Sequence, residues 1–135
     1  MKEIYLNNLE LKTFTEQDAL DYCLLNNLNP ENITELILYK NQLTNISGIR
    51  LFKNLEKLWL YNNKITDISV LKNLKNLKSL SIANNNLTDI SVIKYLNNLK
   101  YLDIDNLTLE SDQIQYIKSL KNLKELSCYN GFKDI

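Results

Sequence analysis

The feature that most constrains the fold is an internal repeat of 22 residues. The segment 55–76 (LEKLWLYNNKITDISVLKNLKN) aligns without gaps with the segment 77–98 (LKSLSIANNNLTDISVIKYLNN), and their apolar side chains coincide at seven positions. A third copy, residues 33–54, precedes them in the same register. A fixed period of this length is typical of solenoids, in which each unit buries its apolar side chains against its neighbours.

Each copy carries the pattern L-x-x-L-x-L-x-x-N-x-L. Its alternating part predicts a strand, because successive side chains of a strand point to opposite faces. In the middle copy Leu58 and Leu60 then face the core, while Lys57, Trp59 and Tyr61 face outward. A buried Leu or Ile contributes roughly 1.5–3 kcal/mol, and such positions recur throughout every copy, so the sequence predicts a core that needs no disulfide.

Three unbroken copies of this pattern, each followed by Thr-Asp-Ile-Ser or Thr-Asn-Ile-Ser, resemble the leucine-rich repeat family. Within it they are similar to the 22-residue class of internalin-type and phosphatase-regulatory proteins. The resemblance implies an α/β solenoid, a right-handed superhelix with a concave parallel sheet of five to six strands, an N-terminal helical cap, short convex turns and one convex helix. It also implies that the asparagine of the motif turns inward and bonds backbone groups of adjacent turns, for which a carboxamide offers both donors and acceptors.

The N-terminal flank, residues 1–32, is predicted to be a capping turn. The leucines of residues 6–11 (LNNLEL) fit the strand pattern and place Phe14 at the asparagine position. Thr15 and Asp18 have the spacing of a capping box, which predicts a helix from about Glu16 to Asn26. The face that the helix turns to the core is predicted to carry Ala19, Leu20, Cys23 and Leu24.

The C-terminal flank departs from the 22-residue period. Residues 33–98 form three regular repeats, 99–122 form an irregular repeat of 24 residues with Leu107 at the asparagine position, and 123–135 form a terminal partial repeat, all within one domain, 1–135. Ser111 is predicted to cap a convex helix. No cap follows the last strand in the sequence, which predicts that apolar side chains there, including those of Leu126 and Cys128, stay partly exposed.

The composition argues against several classes of function. The chain has no histidine, the commonest general base and metal ligand, and no glycine-rich phosphate loop, so we expect no enzyme, cofactor or metal. Asp67 and Asp89 would stack in neighbouring turns and could bind calcium, but capping of those turns is the favoured interpretation. With 16 basic and 16 acidic residues and one arginine, the chain is not expected to bind nucleic acid.

Location is inferred from what the sequence lacks. It contains no apolar run of membrane-spanning length, and its first residues lack the apolar core of a secretion signal. Cys23 and Cys128 fall at opposite ends of the predicted solenoid, so they are not expected to pair, and free thiols suit a reducing compartment. We therefore expect a cytoplasmic protein without membrane contact.

The outward positions of the strands predict a binding surface. Ile37, Tyr39, Trp59 and Tyr61 would form an aromatic and apolar cluster on the concave face, next to a small-residue strip of Ser79, Ser81 and Ala83. Beyond that strip lies an acidic spot of Tyr101, Asp103 and Asp105. Aromatic residues also suit strands for their own sake, but a solvent-facing Trp beside tyrosines has the composition of an interface hot spot.

We therefore predict a module that binds a protein partner through its concave sheet, with Ile37, Tyr39, Trp59, Tyr61, Tyr101, Asp103 and Asp105 as the contact residues. Two alternatives stay open. One is a regulatory subunit of a phosphatase-like enzyme, which the resemblance suggests. The other is self-assembly, including a homodimer, through the uncapped C-terminal edge.

Overall fold

The computed structural model describes residues 2–133, and its framework is one parallel sheet of six strands that pair in chain order. The strands are β1 (Glu3–Tyr5), β2 (Glu35–Ile37), β3 (Lys57–Trp59), β4 (Ser79–Ser81), β5 (Tyr101–Asp103) and β6 (Glu125–Ser127). The central residues of neighbouring strands pair with each other, so that Leu36, Leu58, Leu80 and Leu102 form one buried column. The predicted solenoid with its concave sheet is confirmed.

The convex side is built mainly from tight 3₁₀ turns. They span Pro30–Asn32, Ser47–Leu51, Ser69–Asn73, Ser91–Tyr95 and Ser111–Gln113. Within residues 2–133 two α-helices complete the fold, α1 (Glu16–Leu25) at the N-terminal end and α2 (Ile114–Lys118) in the wider fourth repeat. Each strand and each turn of the regular repeats packs on its neighbour, as expected when one unit cannot bury its own leucines.

The asparagine of the motif has the role that the resemblance implies. Asn41, Asn63 and Asn85 are buried. The Asn63 side-chain amide donates to the carbonyl oxygens of Leu38 and Leu60, both at 3.0 Å, and its Oδ1 accepts from the Leu43 N–H at 3.0 Å. One side chain thus joins two successive turns through three backbone groups.

The first strand lies earlier than the sequence predicts. Ile4, not a leucine of residues 6–11, pairs with Leu36, and Leu6 continues the inward pattern. Leu9 then falls at the asparagine position and is 54% exposed, while the buried Phe14 takes the place that Ile46 has in the next repeat. The prediction was wrong because the leucine spacing of residues 6–11 imitates the motif five residues downstream of the true frame.

Helix α1 begins as predicted but turns a smaller face to the core. Thr15 accepts from the Asp18 N–H and Asp18 accepts from the Thr15 N–H, so the capping box is confirmed. Ala19 and Cys23 are buried, whereas Leu20 and Leu24 are exposed, contrary to prediction. Helix geometry explains the difference: Leu20 and Leu24 lie about 100° around the helix axis from Ala19 and Cys23, and only the stripe that carries those two residues faces the core.

The predicted convex helix in the fourth repeat is present, but its predicted cap is not. Ser111 opens a 3₁₀ turn that runs directly into α2, and no side chain caps either element. Gln113 instead reaches back to the previous repeat, where its Oε1 accepts from the Ile90 N–H at 2.8 Å. The wider repeat is therefore tied to its neighbour by a side chain.

Carboxylates cap the convex turns of the regular repeats. The Oδ1 atoms of Asp67 and Asp89 accept from the N–H groups of Ser69 at 2.8 Å and Ser91 at 2.7 Å. Asn45 does the same for the first regular turn. These backbone hydrogen bonds favour the ionised form and lower the pKa of both carboxyls. Turn capping, the favoured interpretation of these aspartates, is what the contacts support.

The lowered pKa values predict a loss of stability in acid. A carboxyl whose pKa is lower in the folded protein than in the unfolded chain stabilises above the unfolded pKa of about 4, and this contribution is lost as pH falls through the folded pKa. We expect the urea concentration at the unfolding midpoint to decrease when the pH is lowered below about 4. The decrease should be smaller in the double variant Asp67→Asn/Asp89→Asn, because an amide can still cap the turn, as Asn45 does. Urea titrations from pH 7 to pH 2 measure this, and equal falls in both proteins would contradict it.

The two ends of the solenoid expose their cysteines differently. Cys23 lies in α1 and is buried on the face that the helix turns to the core, and burial raises the pKa of its thiol. Cys128 is exposed after β6, and Leu126 in that strand is 42% exposed, as predicted for the last strand. We expect a thiol reagent to modify Cys128 at least about tenfold faster than Cys23, because the thiolate is the reactive form and needs access. Mass spectrometry of a time course, with Cys128→Ser as the control, measures this; equal rates would mean that α1 opens readily.

Candidate functional site on the concave face

The concave face collects side chains from every strand of the sheet. Residues on either side of each central core residue point to this face, and neighbouring strands lie roughly 4.8 Å apart. Four of the predicted contact residues, Ile37, Tyr39, Trp59 and Tyr61, line one open cavity of about 360 Å³. Two further residues, Tyr5 and Glu35, complete the lining. We call this cavity the aromatic pocket.

Direct contacts order the rings of the aromatic pocket. The rings of Tyr39 and Tyr61 stack, with their centroids 4.4 Å apart and their planes at 7°. The Trp59 indole Nε1 donates to Glu35 Oε2 at 2.7 Å, which ties the largest side chain to the previous strand. A hydrogen bond to a charged acceptor is stronger than one between neutral groups, so Trp59 is held with its ring over the sheet.

Ile37 lies in the aromatic pocket but is not free surface. It is 4% exposed, although the sequence predicts that it faces solvent. In the sheet it stands between Tyr5 of β1 and Trp59 of β3, whose larger side chains flank it. Ile37 therefore belongs to the lining at the base of the pocket, where the rings around it leave it little contact with water.

Tyr5 and Glu35 are site residues that the sequence interpretation missed. Tyr5 is 62% exposed and pairs in register with Ile37. The sequence interpretation left it out of the concave face because it placed the first strand at residues 6–11. The signal that could have found it is the alternation Ile4-Tyr5-Leu6, which repeats the pattern Leu36-Ile37-Leu38. Glu35 had an outward position in the sequence, but only its contact with Trp59 indicates a role in the pocket.

Two of the three residues of the small-residue strip beside the aromatic pocket are covered, and Ser79 is half-buried. Ser81 and Ala83 are buried, although the sequence predicts solvent-facing positions. Ser81 stands between Trp59 and Asp103 in the sheet, and its Oγ donates to Asp103 Oδ2 at 2.9 Å. Large side chains on both sides therefore cover a strand whose own side chains are small.

The acidic spot is close to the aromatic pocket. The rings of Trp59 and Tyr101 are 6.2 Å apart and tilted by 54°, so Tyr101 connects the two areas. Asp103 Oδ1 accepts from the Asp105 N–H at 3.1 Å, and Asp105 Oδ1 accepts from the Ser127 hydroxyl at 2.7 Å. All seven predicted contact residues thus lie on one continuous face, with four in the pocket and three beside it.

The concave face carries excess negative charge. Burial, followed by the charges of Asp103, Asp105 and Glu125, raises the pKa of the Tyr101 phenol. Burial, the Tyr39 phenol and Asp103 likewise raise the pKa of Tyr61. The salt bridges found among residues 2–133 join Arg50 to Glu16, Lys78 to Glu56 and Lys133 to Glu110, and none involves a carboxylate of this face.

The described part of the chain contains no arrangement suited to a metal or a membrane span. Within residues 2–133, no three His, Cys, Asp or Glu side chains are grouped so that they could hold a metal ion. The same residues include no helix with the length and apolar character that crossing a bilayer requires. The concave face therefore offers aromatic rings, carboxylates and hydroxyls on a rigid sheet.

Sequence comparison assigns the chain to a family. A model described as leucine-rich repeats in two copies matches residues 31–73 and 75–115, which together make up more than half of the chain. No curated protein matches the sequence. The chain belongs to the leucine-rich repeat family, as the motif predicts.

Three bacterial proteins are among the solved structures with the same architecture. Internalin C2 of Listeria monocytogenes is 31% identical over 72% of this chain, with a TM-score of 0.67. The internalin inlF of the same organism is 27% identical over 92%, with a TM-score of 0.75. A leucine-rich repeat protein of Leptospira interrogans is 31% identical over 93%, with a TM-score of 0.74. The alignments cover 42%, 33% and 30% of those chains, so this chain spans less than half the length of each.

Proposed function

We propose that this protein binds a protein partner through its concave sheet, with the aromatic pocket as the centre of the interface. The observation that carries the proposal is the group of Tyr5, Tyr39, Trp59 and Tyr61 around one open cavity on a rigid sheet. Trp and Tyr dominate the energetically important residues of interfaces, where they fill well-packed pockets. Members of this family vary in their partners, so the exposed residues of this sheet are what select one.

The acidic spot has a different role in the proposed interface. Asp103 and Asp105 are partly exposed, so neutralising them should change the association rate more than the final affinity. The effect should decrease as salt rises, because the Debye length is only about 10 Å at 0.1 M ionic strength. We assign the protein no catalytic role, cofactor, nucleic-acid partner or membrane contact, and we keep the cytoplasmic location as a prediction.

The proposal predicts that the pocket determines partner capture. Trp59→Ala should lower affinity for the partner at least about thirtyfold, since truncating an anchor Trp typically costs about 2 kcal/mol or more. Partners are first identified by pull-down with the wild-type protein, and the purified partner is then titrated by calorimetry against wild type, Trp59→Ala and Tyr61→Ala.

Tyr95→Ala, on a convex turn, is the matched aromatic control and should leave affinity unchanged. Circular dichroism must show native spectra for all variants, because the rings could also stabilise the strands themselves. Unchanged affinity in the Trp59→Ala/Tyr61→Ala double variant would move the binding site to the convex face or to the ends.

Two alternatives stay predictions. A phosphatase-like enzyme as the partner would be recognised among the captured proteins. Self-assembly would use the edge of β6, where Leu126 is 42% exposed, and would appear in light scattering as a mass that rises with concentration. Trp59→Ala should not change such assembly, which separates it from concave binding.

A further inference from the structure

We propose that the aromatic pocket receives a cationic side chain of the partner, specifically the guanidinium group of an arginine. This inference rests on the proposed function, because it names the chemistry that the same site recognises. It adds a prediction about the partner's sequence: the segment that enters the concave face carries an arginine, with further positive charge beside it.

The first argument is the chemistry of the pocket lining. The rings of Tyr5, Tyr39, Trp59 and Tyr61 surround a space next to the Glu35 carboxylate. Glu35 Oε2 accepts from the Trp59 indole N–H, and within residues 2–133 no hydrogen bond reaches its second oxygen, Oε1. A cation near aromatic faces is attracted by their quadrupoles, and a carboxylate oxygen with a free lone pair supplies an acceptor for its N–H groups.

The second argument is the distribution of charge. The chain as a whole is neutral, with 16 basic and 16 acidic residues. Its six strands nevertheless carry four carboxylates, from Glu3, Glu35, Asp103 and Glu125, and a single lysine, Lys57. Asp105 lies two residues beyond β5, and four further lysines stand one residue before a strand, at the margin of the sheet: Lys2, Lys78, Lys100 and Lys124.

The cost of covering this charge decides the kind of partner. Lys57 pairs in register with Glu35, but no salt bridge among residues 2–133 joins the two side chains. An apolar or acidic partner that covered the pocket would therefore remove Glu35 from water without an ion-pair partner, which is costly. A basic segment would instead be attracted to the face by complementary potential. The charge distribution therefore favours a cationic partner over a purely hydrophobic one.

The third argument separates arginine from lysine. A guanidinium is planar, weakly hydrated and able to stack on aromatic faces, and it presents several N–H groups in one plane. The flat stack of Tyr39 on Tyr61 and the tethered Trp59 offer such faces. A lysine ammonium is a compact, strongly hydrated charge, so it loses more hydration on entering a pocket with one carboxylate and four rings.

The test uses the fluorescence of Trp59, which is the only tryptophan in the chain. The full chain is titrated at low ionic strength with capped tetra-arginine, tetra-lysine and tetra-citrulline peptides, the last being an uncharged analogue of arginine. We expect a saturable change with tetra-arginine, a weaker one with tetra-lysine and none with tetra-citrulline. Glu35→Gln should weaken tetra-arginine binding about tenfold or more, on the scale of a lost charge-assisted hydrogen bond.

The controls distinguish loss of the Glu35 charge from loss of the native fold. Glutamine can still accept from the Trp59 N–H, so Glu35→Gln removes the charge and leaves the tether. Glu31→Gln changes an exposed carboxylate on a turn away from the concave strands and should leave binding unchanged. Circular dichroism and urea titration establish that both variants fold.

The outcomes distinguish this inference from the proposed function. A tetra-citrulline response equal to that of tetra-arginine would overturn it, as would a Glu35→Gln response equal to the wild type. If Trp59→Ala loses the protein partner but tetra-arginine leaves the fluorescence unchanged, concave binding stands and arginine capture is wrong. If Glu35→Gln weakens tetra-arginine binding but Trp59→Ala binds the protein partner as tightly as the wild type does, the pocket is a cation site outside the partner interface.

Discussion

Leu80→Ala is expected to lower the free energy of unfolding by roughly 2–5 kcal/mol. Leu80 is fully buried in β4, where it pairs with Leu58 on one side and Leu102 on the other. Its truncation removes apolar contacts and leaves a cavity that a stack of rigid turns can close only in part. Because each turn is stabilised by its neighbours, a defect in the middle of the stack weakens two interfaces at once.

Urea denaturation followed by circular dichroism measures the loss, and Leu24→Ala is the matched control. Leu24 is 77% exposed on α1, so the same substitution there should change stability by less than about 0.5 kcal/mol. Alanine is also the better helix former. Equal losses in the two variants would mean that the core is loosely packed at β4, or that α1 packs on a surface other than the one described.

The three regular repeats could be predicted because their local and neighbour-dependent signals agree. The alternation that predicts each strand also determines which side chains contact those of the next copy. The same register therefore satisfies both strand formation within a copy and packing between copies. The asparagine of the motif marks where each strand ends and bonds the next turn. Fold, strand order and inward-facing positions therefore follow directly from residues 33–98.

The first repeat could not be placed correctly because its sequence fits two registers. The leucines of residues 6–11 match the motif, and so do Ile4 and Leu6 in a frame five residues earlier. The choice depends on what β2 offers as a partner: pairing Ile4 with Leu36 lets Phe14 enter the core under α1. Strand register is set by tertiary contacts of this kind, which one strand's sequence does not contain.

The candidate site could be located from the sequence but not described in detail. Alternation places Tyr39, Trp59 and Tyr61 on the concave face, and the structure brings them together. Alternation does not reveal which outward side chains cover others, and so Ser81, beneath Trp59 and Asp103, was expected in solvent. Alternation also does not predict the hydrogen bond from Trp59 to Glu35, because the two residues are 24 positions apart and meet only through the parallel pairing of their strands.

The buried asparagines allow a different test of what holds neighbouring turns together. Asn63→Ala is expected to lower the free energy of unfolding by roughly 1–3 kcal/mol, because it leaves the Leu43 N–H inside the solenoid without its partner. The Leu38 and Leu60 carbonyls each lose one of two amide donors and keep the hydrogen bonds from Asn41 and Asn85. The cost comes mainly from the unsatisfied Leu43 N–H, since the change to alanine removes little apolar surface. Asn76→Ala, at an exposed position, should change stability by less than about 0.5 kcal/mol.

Asn63→Asp separates hydrogen bonding from side-chain volume. An ionised carboxylate could still accept from the Leu43 N–H, but it would face the Leu38 and Leu60 carbonyl oxygens, to which the native amide donates. A protonated carboxyl regains one donor, so the variant should be less stable than wild type at pH 7, and the difference should narrow as the pH falls towards 4. Urea titrations of wild type and Asn63→Asp at both pH values measure this. A difference that stays constant with pH would show that ionisation of the introduced carboxyl is not what destabilises the variant.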